Sequence, residues 1–597
     1  MVNGEGRNRP IRAVLAVARE SLTRREKARV MGVGATALLG VGLEMLSLGS
    51  FIPVIGLLTN DASLDEVRER VAIASAWSDV QILAVGLVGL VLLFVVKNVV
   101  TFASGWYQRS VSADLSTRLA HEQFEAYLRQ PYSFHTATNS AVLIRNMQNS
   151  SVVITNGVDP LMSIATEGLV ALGVVVLLFV VDPAVTGLVL ATFGCAGWVF
   201  NRTTRRRIVA LGQLRNVHLG HALREQQQGL GGIKEILISG RTETFVERHH
   251  RHVDTNNRIN RTYGTFQQLP RLWLEILTVS GLAALVMLVV AQGRKPSEAL
   301  PILGLFAIAV FRVQPSITRL LISMQSVTFA APVIEGLRRS DLPVPQPLPK
   351  GGAARFERSV TFDAVTFAYP GSAEPVLERA SFEIGRNERI GVVGPSGAGK
   401  STIVDLLLGL LDPTNGKILV DGVDLADVRR SWQDQVGYVP QHIFLLDDSV
   451  RRNVAFGVPD AEISDAVVHE ALQRAQLDEF VDSLPDGLDT EVGERGVRFS
   501  GGQQQRLGIA RALYHRPPVL VFDEATSALD ATTERGVAAA IEEVGRSRTV
   551  VVVAHRTSTL AACDRILRVQ DGSVTDLGRP TETLLDSLAR GASEGSR

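Results

Sequence analysis

Gly394-Pro395-Ser396-Gly397-Ala398-Gly399-Lys400-Ser401-Thr402 follows the apolar run Ile390-Gly-Val-Val393 and leads into Ile403-Val-Asp-Leu-Leu-Leu-Gly-Leu. The order is strand, glycine-rich loop, helix. Glycines let successive backbone N–H groups point at one anion, and the following helix adds its positive N-terminal end. Lys400 is placed to reach the terminal phosphates, and the Ser401 hydroxyl suits Mg²⁺. The stretch therefore predicts a nucleoside triphosphate cradle with ATP and Mg²⁺ as cofactors, and the remaining residues are read by asking what ATP drives.

The chain has 597 residues, 46% of them hydrophobic, which is long for one domain and apolar for a fully soluble protein. Formal net charge is zero, so the overall balance does not point to nucleic acid. Cys195 and Cys563 have no ligand-like spacing around them, and neither a disulfide nor a metal–thiolate site is expected. Residues 1–29 are arginine-rich but lack the apolar core and cleavage site of a signal peptide, so the N-terminus is expected in the cytoplasm.

Six apolar stretches, 28–59, 80–107, 152–181, 184–200, 269–291 and 298–322, read as membrane spans. The third and fourth are divided only by Asp182-Pro183. Roughly two dozen Lys and Arg fall before span one, between spans two and three and between four and five, against about four in the alternate loops. That bias sets both chain ends in the cytoplasm of a multi-pass cell-membrane protein. Outside, residues 60–79 form either a short amphipathic helix, with Ser63 and Glu66 as a capping box and Val67, Val71 and Ala74 at helical spacing, or a tether. Inside, 108–151 and 201–268 are long, polar and helical in period, so spans continue into the cytoplasm. Each has a break, at 130–135 and at 229–236, where a crosswise helix could touch an ATPase domain.

Prolines at close spacing from 339 to 355 read as a linker between a transmembrane domain, 28–338, and an ATPase domain, 356–585. Residues 1–27 are expected as a cytoplasmic N-terminal segment and 586–597 as a flexible tail. The fold class is thus multi-domain: an all-α six-helix transmembrane domain followed by an α/β nucleotide-binding domain built around the phosphate loop.

Chemistry is densely marked in the second half. Tyr369, in Phe-Ala-Tyr-Pro, either stacks on a purine or is an ordinary core tyrosine. Gln441 ends Gly-Tyr-Val-Pro-Gln, where its amide could touch both Mg²⁺ and an attacking water. The apolar Val519-Leu-Val-Phe522 runs into Asp523, placed for Mg²⁺, and Glu524, a candidate base for the attacking water. Ser527-Ala-Leu-Asp530 follows, and His555 ends a further apolar strand, either at the γ-phosphate or as a structural histidine.

Phe499-Ser500-Gly501-Gly502-Gln503 makes the resemblance specific. With the phosphate loop, Gln441, Asp523-Glu524, Asp530 and His555 in the same order and spacing, the chain resembles ATP-binding cassette (ABC) transporters of the exporter half-transporter type. Phe499 departs from the leucine that usually opens the signature, while Gly493-Glu-Arg-Gly496 matches a segment of the exporter branch. The resemblance implies that Glu524, His555 and Gln441 are catalytic. It also implies that Tyr369, the phosphate loop, Ser500, Gly502, Gln503 and Asp530 bind ATP, and that Ser401, Gln441 and Asp523 hold the metal. Each ATP would lie between two cassettes. This chain has one phosphate loop, one signature and no internal repeat, so a dimer is required, and with Glu524 and His555 both present a homodimer is expected rather than pairing with a degenerate partner.

Glu44 with Pro53, the opening of span five at Leu269-Pro-Arg-Leu-Trp-Leu-Glu275, and Phe311-Arg-Val-Gln-Pro315 resemble flippases of lipid-linked oligosaccharides. That resemblance implies an amphipathic or lipid-linked substrate with an anionic head, such as a lipid-linked oligosaccharide. Lys97, Arg271, Arg312 and Glu44 are the candidate substrate residues. The basic three could equally snorkel to lipid headgroups, and Arg271 could pair with Glu275. A multidrug or peptide exporter is the alternative within the class, and an ATP-gated channel or regulator the alternative outside it. The spans exclude a soluble cassette acting on nucleic acid.

Overall fold

A computed structural model describes residues 22–50, 54, 77–181, 183–291, 296–339, 355–372, 374–524, 547–554 and 557–594. The chain divides into two compact units, Met1–Gln130 with Ala137–Pro343, and Pro131–Thr136 with Val344–Arg597.

The first unit is helical. Its long helices are Arg24–Gly49, Asp79–Leu128, Asp159–Val181, Pro183–Gly231, Thr242–Ala291 and Pro296–Arg339. Among the described residues, Arg24–Ser47, Asp79–Leu128, Ser140–Leu177 and Val313–Gly336 are long and apolar enough to cross a bilayer. The spans expected at 184–200 and 269–291 are the apolar ends of helices of 49 and 50 residues whose other turns are polar. Val88, Phe102, Trp106 and Val180 stand exposed, each costing roughly 25 cal/mol per Å² in water and little in lipid. The loop expected as an external helix, 60–76, and most of the linker, 340–354, lie outside the described residues.

Local signals place the helix starts. Ser78 caps the second long helix in a reciprocal box, its Oγ accepting from Gln81 N at 3.4 Å and its own N–H donating to Gln81 Oε1 at 2.9 Å. A π-helical turn, Ile154–Val158, joins Ser140–Val153 to Asp159–Val181. The Asp159 carboxylate there accepts from Gln108 Nε2 and Ser112 Oγ, both at 3.0 Å, tying this element to Asp79–Leu128. The breaks expected at 130–135 and 229–236 fold as short helices, Tyr132–Ala137 and Ile233–Ser239. The second leaves Ile233, Leu237 and Ile238 exposed beside Leu230.

In the second unit the hydrophobic pattern shifts from helical to strand period. Strands β1 (Ser359–Phe367), β2 (Leu377–Gly385), β4 (Asn415–Val420) and β5 (Val423–Asp424) form an antiparallel sheet in the order β2-β1-β4-β5. Strands β3 (Arg389–Val393), β6 (Val436–Val439), β7 (Val519–Asp523), β8 (Thr549–Val553), β9 (Arg565–Gln570) and β10 (Ser573–Gly578) form the second, ordered β10-β9-β3-β8-β7-β6. All its pairings except β10 with β9 are parallel, and β7 and β8 are buried at every position, as a strand covered on both faces must be. The last helix, Glu582–Glu594, covers most of the segment expected as a tail. Leu584, Leu585 and Leu588 recur on one of its faces and pack against the core, which accounts for the difference.

Helix Pro183–Gly231 packs on both Thr242–Ala291 and Pro296–Arg339. A Cβ at Gly212 would lie 2.2 Å from the carbonyl oxygen of Phe329, a backbone atom that cannot yield alone. Gly212→Ala should therefore push these helices apart and cost about 1–3 kcal/mol, read as a lower melting temperature in detergent. Gly264→Ala, facing open space, is the control and should leave the melting temperature level or higher. Equal melting of the two variants would remove the close-approach argument.

Candidate functional site

Four neighbouring strands deliver the site. The order β3-β8-β7-β6 places side by side the phosphate loop after β3, the end of β8 two positions before His555, Asp523-Glu524 at the end of β7, and Gln441 after β6. Because the four run parallel, these groups share the carboxyl edge of the sheet, where open α/β folds bind ligands.

In the phosphate loop, Gly399 caps helix Lys400–Leu407 at φ +100°, a conformation that L side chains rarely adopt. Lys400 is buried, and its Nζ donates to the carbonyls of Gly394 and Pro395, both at 3.0 Å, which curls the loop around the ammonium. Burial holds the lysine below its ordinary pKa, with Glu524 and Asp523 opposing the shift. Pro395, Ser396 and Gly397 are exposed, Ala398 is half-buried, and Thr402 is buried beneath them. Tyr369 is exposed, packs its ring edge-to-face with Phe367 at 5.0 Å, and lies with its hydroxyl 3.2 Å from Thr402 Oγ1. The ring is thus at the surface and is not an ordinary core tyrosine.

Asp523 is 8% exposed, and its pKa is raised by burial and by Glu524, with Lys400 and the Ser401 hydroxyl opposing. Its Oδ1 is buried without a protein hydrogen-bond partner. A carboxylate, a hydroxyl and an amide from Asp523, Ser401 and Gln441 are hard oxygen donors, and the orphaned oxygen is one that a cation such as Mg²⁺ would satisfy. Glu524 adopts φ +48°, and its Oε2 accepts from Gln441 Nε2 at 2.5 Å. Asp405, one turn into the loop's helix, is pushed up to about 6 by burial and by Asp523. Asp530 and His555 lie outside the described residues.

Ser500 is exposed at the start of helix Gly501–Leu513 and forms a capping box, with Gln503 N donating to its Oγ at 3.3 Å and Ser500 N donating to Gln503 Oε1 at 2.7 Å. Gly502 is buried. Phe499 fills a core site edge-to-face with Phe480 at 5.4 Å, so the residue that departs from the usual leucine is used as packing. The sequence did not single out Arg511. Its Nε donates to Asn453 O at 2.8 Å, Nη1 to Phe444 O at 2.7 Å and Nη2 to Asn453 Oδ1 at 3.0 Å, while the guanidinium covers the Phe456 ring. Burial lowers its pKa to about 10. One half-buried cation thereby joins the signature helix to the segment just after Gln441. Only its place in a helix one turn before the apolar end hinted at this. Gln504 Nε2, also not singled out, donates to Gly496 O and Phe499 O and fixes the approach to the signature.

Of the intramembrane charges, Lys97 and Glu44 come together. Lys97 Nζ is 3.4 Å from Glu44 Oε2, both side chains are about a tenth exposed, and Lys97 also lies over the Phe94 ring. Arg271 and Glu275 are both exposed, and no ion pair joins them among the described residues. The Arg312 side chain lies outside the described residues. Both cysteines are free.

Such a cassette on a helical membrane unit defines an ATP-driven transporter, and comparison with known proteins agrees. The family profile "ABC transporter" matches residues 377–527, and "ABC transporter transmembrane region" matches 33–313. The chain is 30% identical over 511 residues to an ATP-dependent lipid A-core flippase of Shewanella frigidimarina, covering 83% of each chain. It is 33% identical over 514 residues to the protein of that name in Ralstonia nicotianae, covering 83% of this chain and 84% of that one. The solved structure of a bacterial Atm1-family ABC exporter with ATP bound superposes with a TM-score of 0.76 at 27% identity, over 96% of this chain and 98% of that one. The chain belongs to the ABC transporter family, as an exporter half-transporter in which a helical transmembrane region is fused to an ATPase domain that couples hydrolysis to transport.

The buried pair yields a stability prediction. Lys97→Met strands the Glu44 carboxylate without this cation and should cost about 3 kcal/mol, seen as a lower melting temperature of the purified protein. Glu44→Leu with Lys97→Met should recover most of the loss. A single variant that melts with the parent would show that the pair contributes nothing to folding.

Proposed function

We propose that two copies of this chain form a flippase that uses ATP to move a lipid with a polar head across the cell membrane, with both chain ends and the ATPase unit cytoplasmic. The observation that carries the lipid reading is identity of 30–33% along more than four-fifths of the chain to proteins named lipid A-core flippases. A lipid-linked oligosaccharide is one member of that substrate class.

In the proposed reaction Glu524 accepts a proton from water as the water oxygen attacks the γ-phosphorus and the bond to the ADP oxygen breaks. Gln441, hydrogen-bonded to Glu524, orients that water. Lys400 and the loop N–H groups stabilise charge on the phosphates, His555 contacts the γ-phosphate, and Tyr369 stacks on the adenine. Ser401, Gln441 and Asp523 would hold Mg²⁺, which would supply neutralising charge to the phosphate oxygens. Ser500, Gly502 and Gln503 complete the partner's site, and Asp530 is assigned to ATP binding. The homodimer is supported by the exposed Ser500 and by the apolar surface of helix Ile233–Ser239, Leu237 and Ile238 above all, which needs a covering partner. Pairing Lys97 with Glu44 leaves Arg271 as the exposed candidate for an anionic head among the described residues, with Arg312 the further candidate.

Glu524→Gln should bind ATP with Mg²⁺ yet hydrolyse it at least ~10²-fold more slowly, the scale of general-base removal. Near-parental turnover by pure variant would remove the assigned role. The substrate reading is tested in proteoliposomes by ATPase stimulation with phosphate-bearing glycolipids, other lipids, peptides and drugs. Glycolipid stimulation accompanied by flipping is expected. Stimulation by peptides or drugs alone would make this a multidrug or peptide exporter, and ATP-dependent gating without transport would make it a channel or regulator.

A further inference from the structure

A cavity of about 240 Å³ opens between helices Ser140–Val153 and Pro183–Gly231, on polar turns of the first unit. Arg145, His221 and Arg224 converge on it, and its remaining wall is Ala141, Val142, Val217 and Gly220. No acidic side chain lines it. The volume falls below the ~300–1,000 Å³ typical of pockets for drug-sized ligands, so it suits a headgroup or a small metabolite better than a whole lipid.

The state of Arg145 points to a ligand. Neither Arg145 nor Arg224 takes part in an ion pair among the described residues. Arg145 Nε is buried with no hydrogen-bond partner, and Nη2 makes a long 3.4 Å contact to Asn146 Oδ1. Leaving a buried donor unsatisfied is unfavourable, which a ligand would relieve. Gly220 lets the guanidinium in, since a Cβ there would stand 2.8 Å from Arg145 Nη1 and 3.2 Å from its Cδ. His221 is held from behind by stacking on His252 at 5.0 Å, and His252 Nδ1 lies 3.0 Å from His218 Nδ1. Two forked cations and an imidazole around one space, beside apolar Ala141, Val142 and Val217, match a tetrahedral dianion carrying a small organic body.

We propose that this cavity binds a phosphate monoester, a group that carries about −1.5 to −2 charge near neutral pH. The ester is either a soluble metabolite or the head of a phosphomonoester lipid. The site is separate from the phosphate loop and does not depend on the flippase reading.

The test uses the full-length protein bearing Lys400→Ala, which weakens phosphate binding at the ATP site. Glucose 6-phosphate is titrated calorimetrically in detergent, and vesicles containing phosphatidic acid are compared with vesicles of the diester phosphatidylglycerol. Saturable binding in at least one arm is expected, weakened at least ~10-fold by Arg145→Gln with Arg224→Gln, the scale of a lost charge-assisted contact. Arg224→Gln alone, at an exposed position, should also weaken it and guards against misfolding of the double variant. Glucose 6-phosphate binding identifies a soluble ligand, and preference for phosphatidic acid alone identifies a lipid head. Absence of binding in both arms, or binding unchanged in Arg224→Gln and the double variant, overturns the proposal.

Discussion

Parallel pairing of β3, β8, β7 and β6 is the constraint on which the ATP site depends. Val392 and Asp523 both pair with Val553, and Phe522 pairs with Val439. That register brings the phosphate loop, the two acids and the glutamine to one edge although Lys400 and Asp523 are more than a hundred residues apart. Slipping β7 by one residue would reverse its side chains and carry Asp523 away from Ser401. Such slippage is strongly opposed, because every residue of β7 and β8 is buried and none can exchange a core contact for water.

A second constraint ties the helical part of the cassette to that edge. Arg511 reaches Phe444 O, three residues after Gln441, and Asn453, whose side chain in turn accepts from Leu446 N at 2.9 Å and donates to Leu446 O at 3.0 Å. Without the guanidinium, the carbonyls of Asn453 and Phe444 would lose this donor, so the segment after Gln441 and the signature helix resist separation.

Features governed by neighbours in sequence were legible; those governed by distant contacts were not. The phosphate loop and the carboxylates after an apolar strand each follow from a few adjacent residues. The long helices followed from apolar period and length, and their polar continuations from the same period in charged sequence. Lys97 and Glu44 looked like separate candidates for a substrate because 53 positions divide them and only packing of Arg24–Gly49 against Asp79–Leu128 makes them a pair. The helix Glu582–Glu594 was missed for a similar reason: its three leucines are too few to stand out until the core they cover is in place. Arg511 was hidden because a basic residue near a helix end usually reads as solvated, whereas here burial is compensated by three oxygen acceptors and an aromatic face.

The placement of positive charge connects these units of description to transport. Lys97 within a span is answered by Glu44, which keeps the low-dielectric region close to neutral and limits the cost of burial. Arg271, by contrast, is exposed near the start of an apolar helix segment, and Arg145 and Arg224 face a cavity on polar turns. Among the described residues, Arg145, Arg224 and Arg271 thus keep to polar or exposed positions, where hydration limits the cost of an unpaired charge. In the flippase proposed above, a charged head would meet such cations at the polar margin, and the apolar stretches would need only to accommodate its passage.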